Sequence, residues 1–222
     1  MSSPADWDAR YRGTDRLWAA APNLWVAEAV ADWSPGRALD LGAGEGRHAL
    51  WLARAGWSVV AVDFASVALD RGRAMAGEEP EAGTRIQWVA ADLRTFVPEP
   101  EGFDLVLLSY IHLPADERGG LLRRAAAGLA VGGSLLVVGH ATRNATDGVG
   151  APVDVARLFE PADIIADLHG TGLSVEMAEE RLRPVDGSER PAIDVLVRAR
   201  RPGRATESPR AGEVILTWVQ AS

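Results

Sequence analysis

Five short apolar runs recur along the first two thirds of the chain, and helix-length segments of mixed character separate them. The first opens RALDLGAGEGR (37–47) and ends in an acid; SVVAVD (58–63), IQWVAAD (86–92), FDLVLLS (103–109) and GSLLVV (133–138) follow. Between them EGRHALWLARA (45–55), SVALDRGRAMA (66–76) and ADERGGLLRRAAAGL (115–129) predict helices, the last with an irregular start at Gly119-Gly120. Near-continuous apolar strands alternating with helices predict a parallel sheet covered on both faces. Such a sheet binds ligands at the carboxyl ends of its strands. Asp40, Asp63 and Asp92 all fall at those ends, so the pattern collects three acids along one edge.

The pattern changes after residue 141. Residues 142–157 are loop-rich, and 160–170 predict a helix opened by Pro161. Two strand-like runs, 173–185 and 192–200, flank the turn signal VDGSERP and suit an antiparallel hairpin at one edge of the sheet. Residues 201–212 read as a linker and 213–220 (EVILTWVQ) as an added strand or docking segment. Upstream, apolar residues from 24 to 33 have helical spacing with Asn23 as N-cap, which makes Trp25 and Trp33 packing residues.

Composition narrows the function. With 222 residues, 47% hydrophobic and 24% charged, the chain suffices for one full core and one domain. The absence of cysteine excludes disulfides, thiolate metal sites and a cysteine nucleophile, and no metal site is expected. The N-terminus MSSPADWDARY has no apolar core of a signal peptide, and no apolar run approaches the ~20 residues of a membrane span, so a cytoplasmic location is expected. A net charge of −8 opposes long-range attraction to nucleic acid or an anionic membrane and favours a small-molecule or protein substrate. The basic run RARRPGR (198–204) has no interleaved aromatics and reads as a solvated strand end.

Glycine at 42, 44 and 46 forms G-x-G-x-G and lets a ligand approach the main chain of a strand-to-helix turn. A dinucleotide fingerprint needs its third glycine one place later, where Arg47 stands. Asp40, just before the turn, would repel a pyrophosphate and favours a ligand with a cationic group. This loop, together with WDARY (7–11), LWAAAPN (17–23), HALWLA behind the loop, AVDFASVAL (61–69) and FDLVLLSYIHLP (103–114), resembles the small bacterial class I S-adenosylmethionine-dependent methyltransferases of the tellurite-resistance and thiopurine type. The likeness runs from about residue 6 to 200.

The resemblance implies an α/β fold: a Rossmann-like, doubly wound seven-stranded sheet, parallel except for one antiparallel edge strand, with helices on both faces. It implies an N-terminal helical cover (1–34), a catalytic core (35–200) and a C-terminal extension without assigned role (201–222). S-adenosyl-L-methionine is the implied cofactor and S-adenosyl-L-homocysteine its product. Asp63 would accept both ribose hydroxyls with Phe64 beside the adenine. Asp92 would receive the adenine amino group and the Leu93 amide a ring nitrogen. The main chain at Gly42, Ala43, Gly44 and Ser109 would hold the methionine part, with Asp40 near its ammonium. Tyr11 and Arg16, with Trp7 and Trp18, would approach the methionine end or the acceptor from the cover. Both Asp63 and Asp92 could instead serve only as helix N-caps.

Methyl transfer proceeds in line from a sulfonium, so positioning and a dry pocket supply most of the catalysis. An already anionic acceptor needs no base; a hydroxyl or ammonium acceptor needs one. His112 and His140, just past the fourth and fifth runs, are the candidates for base or orienting donor, with backbone capping or packing as the other reading. His48 and His169 lie in helical segments and read as structural. The fourth strand ends SYIHLP, without N-P-P-Y, which disfavours N-methylation of nucleic acid or glutamine. The acceptor is left open among tellurite, selenite, thiol, halide and hydroxyl, and the oligomeric state between monomer and homodimer. The rival reading is a protein of the same fold that binds the cofactor for another reaction or for regulation.

Overall fold

A computed structural model describes residues 4–13, 21–150 and 154–203. Seven strands form one sheet: β1 (Arg37–Leu41), β2 (Ser58–Asp63), β3 (Ile86–Ala90), β4 (Phe103–Ser109), β5 (Leu129–His140), β6 (Ser174–Arg183) and β7 (Ala192–Arg200). Their order is β3-β2-β1-β4-β5-β7-β6, parallel from β3 to β5. The chain begins in the middle, runs outward through β2 and β3, and returns to β4. The reversal between β1 and β4 opens a crevice at their carboxyl ends.

The expected antiparallel edge is present as a pair. β7 runs antiparallel to β5, and β6 pairs antiparallel to β7 on its outer side. Strands inside the sheet are buried along most of their length, whereas β3 and β6 at its margins stay partly exposed, as coverage from both faces requires.

The helices are α1 (Pro4–Arg12), α2 (Leu24–Val30), α3 (Arg47–Arg54), α4 (Ser66–Gly77), α5 (Pro80–Gly83), α6 (Ala115–Gly128), α7 (Asn144–Asp147) and α8 (Pro161–Asp167). Side chains alternate across the sheet with a period of two. Leu39, Leu41, Val106, Leu108 and Val137 pack with Leu121 and Leu122 of α6 and Ile164 of α8. Ala38, Leu105, Leu107, Leu136 and Leu196 pack with Val26 of α2 and Leu50 and Leu52 of α3. The same parity assigns Asp40, His140 and Asp194 to the α2/α3 face.

Local rules account for most boundaries. Asn23 caps α2, its Oδ1 accepting from the Trp25 amide at 2.9 Å. Pro161 opens α8, closed by the Asp163 carboxylate accepting from the Glu160 amide at 2.8 Å. β5 starts at Leu129, ahead of the expected GSLLVV, because Leu129 is already extended and pairs with Phe103 before a register shift. The loop-rich 142–157 segment holds α7 and a short 3₁₀ turn, Val155–Arg157. The segment at 213–220 lies outside the described residues. Among the described residues no helix is long and apolar enough to cross a membrane.

α1 docks on the start of α4. Ala65, the residue before α4, has no side-chain acceptor, and Asp8 supplies one from α1: its carboxylate accepts from the Val67 amide (3.1 Å) and from Ser66 Oγ (3.2 Å). Tyr11, 3% exposed, packs with Ala65 and Ala68, with Trp7 and Phe64 at the margin.

Two glycines separate backbone strain from packing. Gly46 (φ 81) and Gly170 (φ 78) are both left-handed, but a Cβ on Gly46 would lie 2.3 Å from Trp88 Cη2, whereas one on Gly170 would meet open space. Gly170→Ala is expected to lower stability by about 1–2 kcal/mol, from conformation alone. Gly46→Ala should lose a further ~1–3 kcal/mol from overpacking. Urea unfolding midpoints of the two variants check the difference.

Candidate active site

The turn after β1 is held from β2. The Gly42 and Ala43 amides donate to the Val62 carbonyl (2.8 and 3.0 Å), and the Gly44 amide donates to Asp63 Oδ2 (2.8 Å). Asp63 Oδ1 accepts from the Ala65 amide at 2.8 Å, so one carboxylate braces the glycine turn and the entry to α4 together. The Ala65 bond lies one residue ahead of the helix, so Asp63 is not the N-cap of α4, whose Val67 amide goes to Asp8. A carboxylate has about four acceptor directions, which leaves capacity for further donors. Burial pushes the Asp63 pKa up, against the lowering effect of the Ala65, Gly44 and Phe64 amides.

Glycine at 42 and 46 serves packing within the protein. A Cβ at Gly42 would collide with Ile111 Cδ1 (2.0 Å), as one at Gly46 would with Trp88. This corrects the expectation that all three glycines clear a face for ligand. Side chains near the turn also leave polar atoms open.

Two of these are buried and have no hydrogen-bond partner among the described residues: Asp40 Oδ2 and Ser109 Oγ, near the ends of β1 and β4 on either side of the crevice. Burial raises the Asp40 pKa to about 7, with Arg47 opposing and Asp63 adding to the rise. Next to Ser109, Tyr110 adopts φ 58, a left-handed conformation that is strained for a residue with a Cβ. That twist breaks the strand alternation and turns the ring toward the α2/α3 face, where it packs.

There the phenol joins a polar hub that sequence reasoning missed. Asp194 of β7 is wholly buried, and its Oδ2 accepts from Trp25 Nε1 (3.1 Å), Tyr110 Oη (2.8 Å) and Arg183 Nε (2.7 Å). Asn23 Nδ2 donates to the Tyr110 oxygen at 2.9 Å. Burial alone would raise the Asp194 pKa, but donors from His140, Arg183 and Tyr110 outweigh it and hold it below the ordinary range. Tyr110 is shifted well upward, by burial first and then by Asp194. The available signal was a lone acid inside the apolar run AIDVLV, since an acid buried in a strand requires partners.

His140 Nδ1 stands 3.1 Å from Asp194 Oδ1, a His–Asp contact off line for a regular hydrogen bond. Among the described residues no hydrogen bond reaches His140 Nε2. His112 is stacked on it, with ring centroids 5.5 Å apart at 5°. His112 Nε2 accepts from the His140 amide at 3.1 Å, and burial lowers its pKa to about 4, with the Tyr110 carbonyl bond opposing. These contacts make His112 a neutral support for His140 and argue against its use as a base.

Other expected residues are distributed around this centre. Leu93 is buried, near Gly42, while the partly exposed Asp92 is clamped by Arg94, which holds its pKa down. Phe64 lies beside the α1 contact. Arg16 and Trp18 fall outside the described residues. His48 is buried and neutral, its Nε2 accepting from the Asn23 amide at 3.2 Å, and His169 is exposed at the end of α8; neither lies with His140. Trp25 and Trp33 pack on the α2/α3 face as expected, Trp25 adding its bond to Asp194.

Comparison with known proteins bears on the fold and on part of the sequence. Residues 38–133 match a family model described as a methyltransferase domain. The chain is 36% identical over 99 residues to the demethylmenaquinone methyltransferase of Clavibacter sepedonicus, a stretch that is 44% of this chain and 37% of that protein. The chain thus spans little more than a third of the curated relative it matches. A structure solved for the conversion of a disulfide bond into a thioacetal group during echinomycin biosynthesis superposes with a TM-score of 0.72 at 22% identity, covering 91% of this chain and 94% of that one. The 1,6-didemethyltoxoflavin-N1-methyltransferase of Burkholderia thailandensis, solved with 1,6-didemethyltoxoflavin and S-adenosylhomocysteine bound, gives 0.68 at 20% identity, covering 90% and 87%. The chain therefore has the Rossmann-like methyltransferase fold, and its glycine turn and strand-end acids lie within the stretch that matches the methyltransferase-domain model.

Proposed function

We propose that the chain transfers a methyl group from S-adenosyl-L-methionine to a small-molecule acceptor and releases S-adenosyl-L-homocysteine. The brace between the Gly44 amide and Asp63 carries this reading. It fixes an acid at the end of β2 beside the glycine turn, with acceptor capacity for the two ribose hydroxyls, and sets Phe64 next to it for the adenine. The orphaned Asp40 Oδ2 and Ser109 Oγ fit the polar methionine end, Asp40 toward the ammonium. Ala43, Gly42 and Gly44 shape the floor. Asp92 contributes less than Asp63 because Arg94 already occupies it, and the Leu93 amide remains the adenine contact. Tyr11 belongs to the cover that α1 forms, and Arg16 follows it in the chain.

The cofactor supplies an electrophilic methyl group on a sulfonium. The protein's own part is to hold the acceptor in line and to take its proton. His140 is the base: Asp194 faces its Nδ1 and leaves Nε2 to receive a proton. His112 holds the His140 backbone in place. A His–Asp pair is of use to an acceptor that must lose a proton, so a hydroxyl or similar protic group is favoured over an already anionic chalcogen.

Calorimetric titration with S-adenosylhomocysteine tests the cofactor site. Asp63→Ala removes two charge-assisted hydrogen bonds of ~1.5–3 kcal/mol each and is expected to weaken binding on the order of a hundredfold or more; unchanged affinity would refute the assignment. An acceptor screen that follows S-adenosylhomocysteine release tests the base. Turnover in His140→Ala should fall about 10²–10⁴-fold with cofactor binding retained, whereas His112→Ala should lose far less.

Asp40 should act oppositely on stability and binding. Its raised pKa means that the folded chain binds more protons than the unfolded chain between about pH 4 and 7, so stability is lost as pH rises through that window. In Asp40→Asn this loss disappears, and the variant's advantage in urea unfolding should grow by up to roughly 4 kcal/mol from pH 4 to 7 and then level off. The same variant should bind S-adenosylhomocysteine more weakly at pH 8.

A further inference from the structure

We infer that Arg47 binds the α-carboxylate of the cofactor's amino-acid end, opposite Asp40, so that the two side chains form a cradle for a zwitterion. This rests on the cofactor reading above and adds a residue to it. Arg47 is the first residue of α3, directly behind the glycine turn. It is half-buried, and its guanidinium makes no hydrogen bond or ion pair with the described residues; its one contact of note is the Tyr110 ring, with Cζ 5.9 Å from the centroid. Arg71, Arg118 and Arg183, three other arginines withdrawn from water, are each paired with a carboxylate.

The absence of an Arg47–Asp40 pair is informative. Each is the other's chief opposite charge among carboxylates and guanidiniums, and both are withdrawn from water, yet no ion pair forms between them. Asp40 is fixed in β1 and leaves Oδ2 without a partner; Arg47 is fixed on α3 and leaves its fork without one. Two buried opposite charges held apart carry a large desolvation penalty that a ligand bearing both complementary charges would relieve. An α-amino acid bears an ammonium and a carboxylate on one carbon. The planar guanidinium suits the carboxylate bidentately, and Asp40 suits the ammonium. The Tyr110 ring contact places Arg47 at the end of β4, next in sequence to the orphaned Ser109 Oγ. The residue that breaks the dinucleotide fingerprint is, in this reading, the one that recognises the amino acid.

Three adenosyl thioethers test this by calorimetry on the full chain: S-adenosylhomocysteine, S-adenosyl-3-thiopropylamine, which lacks only the carboxylate, and 5′-methylthioadenosine, which lacks the whole amino-acid end. Wild type is expected to prefer S-adenosylhomocysteine over the thiopropylamine by roughly 10–100-fold, as one charge-assisted contact provides. Arg47→Leu should abolish that preference while 5′-methylthioadenosine binds as to wild type, and Arg47→Lys should restore part of it. Equal wild-type affinity for the first two ligands would overturn the inference without need of any variant. Equal loss of all three in Arg47→Leu would also overturn it, by showing a merely structural role, and retained preference in that variant would assign the carboxylate to another residue. Failure of wild type to bind any of the three would instead remove the cofactor reading itself.

Discussion

The buried carboxylate of Asp194 is the constraint on which the two halves of the molecule depend. A wholly buried acid in the middle of a strand is unfavourable unless donors surround it. The donors that converge on it come from α2 (Trp25), the end of β4 (Tyr110) and the edge strand β6 (Arg183), with His140 of β5 on its other oxygen. One residue thus joins the antiparallel margin of the sheet to the N-terminal helices and to the crevice. Asn23 extends the hub: its side chain caps α2 through Oδ1 and reaches Tyr110 through Nδ2, while its amide is received by His48. The register of β7 against β5, in which Asp194 lies opposite His140, is specified by this polar contact as well as by apolar burial.

The same constraint explains the strain at Tyr110. An extended residue following Ser109 would continue the strand parity and carry the ring away from Asp194. The left-handed backbone at Tyr110 brings the hydroxyl to the acid instead, at a conformational cost offset by the hydrogen bonds of the hub. It also leaves Ser109 Oγ facing no protein partner. The unfavourable features of the crevice, a strained residue, an orphaned hydroxyl, a carboxylate with a raised pKa and an unpaired arginine, are therefore concentrated on adjacent strand ends and the helix that follows, while the apolar layers on both faces of the sheet are continuous. Local inconsistency gathered at this edge of the fold is what the proposed cofactor site requires.

What could be read from the chain follows the same division. The strands inside the sheet announce themselves because burial on both faces leaves them almost no polar positions, and Asn23 and Pro161 mark helix starts through chemistry local to the backbone. That the glycine turn and Asp63 share one sheet edge was legible as well, although the hydrogen bond between them was not. Asp194 was not read, because a lone acid in AIDVLVRAR signals a need for partners only once the run is known to be buried, which the folding of the hairpin against β5 decides. The relative standing of His112 and His140 was hidden for a similar reason. Both follow strand ends, and only the stacking of one upon the other, with Asp194 across the sheet, separates a supporting imidazole from one that can accept a proton. The glycines at 42 and 46 were read for what they remove, whereas the structure shows what they admit, namely Ile111 and Trp88.

The first turn of α4 links the cover to the cofactor site. Asp8 from α1 and Asp63 from β2 both supply acceptors to amides at that helix terminus, where the aligned peptide dipoles favour negative charge. Two carboxylates sharing one terminus also repel, and Asp8 is among the causes that raise the Asp63 pKa. Docking of α1 therefore brings a second negative charge toward Asp63, the acid proposed for the ribose. Electrostatics thus couples the position of the cover to Asp63: at the proposed cofactor site a cationic ligand would relieve a repulsion that a neutral one would leave in place.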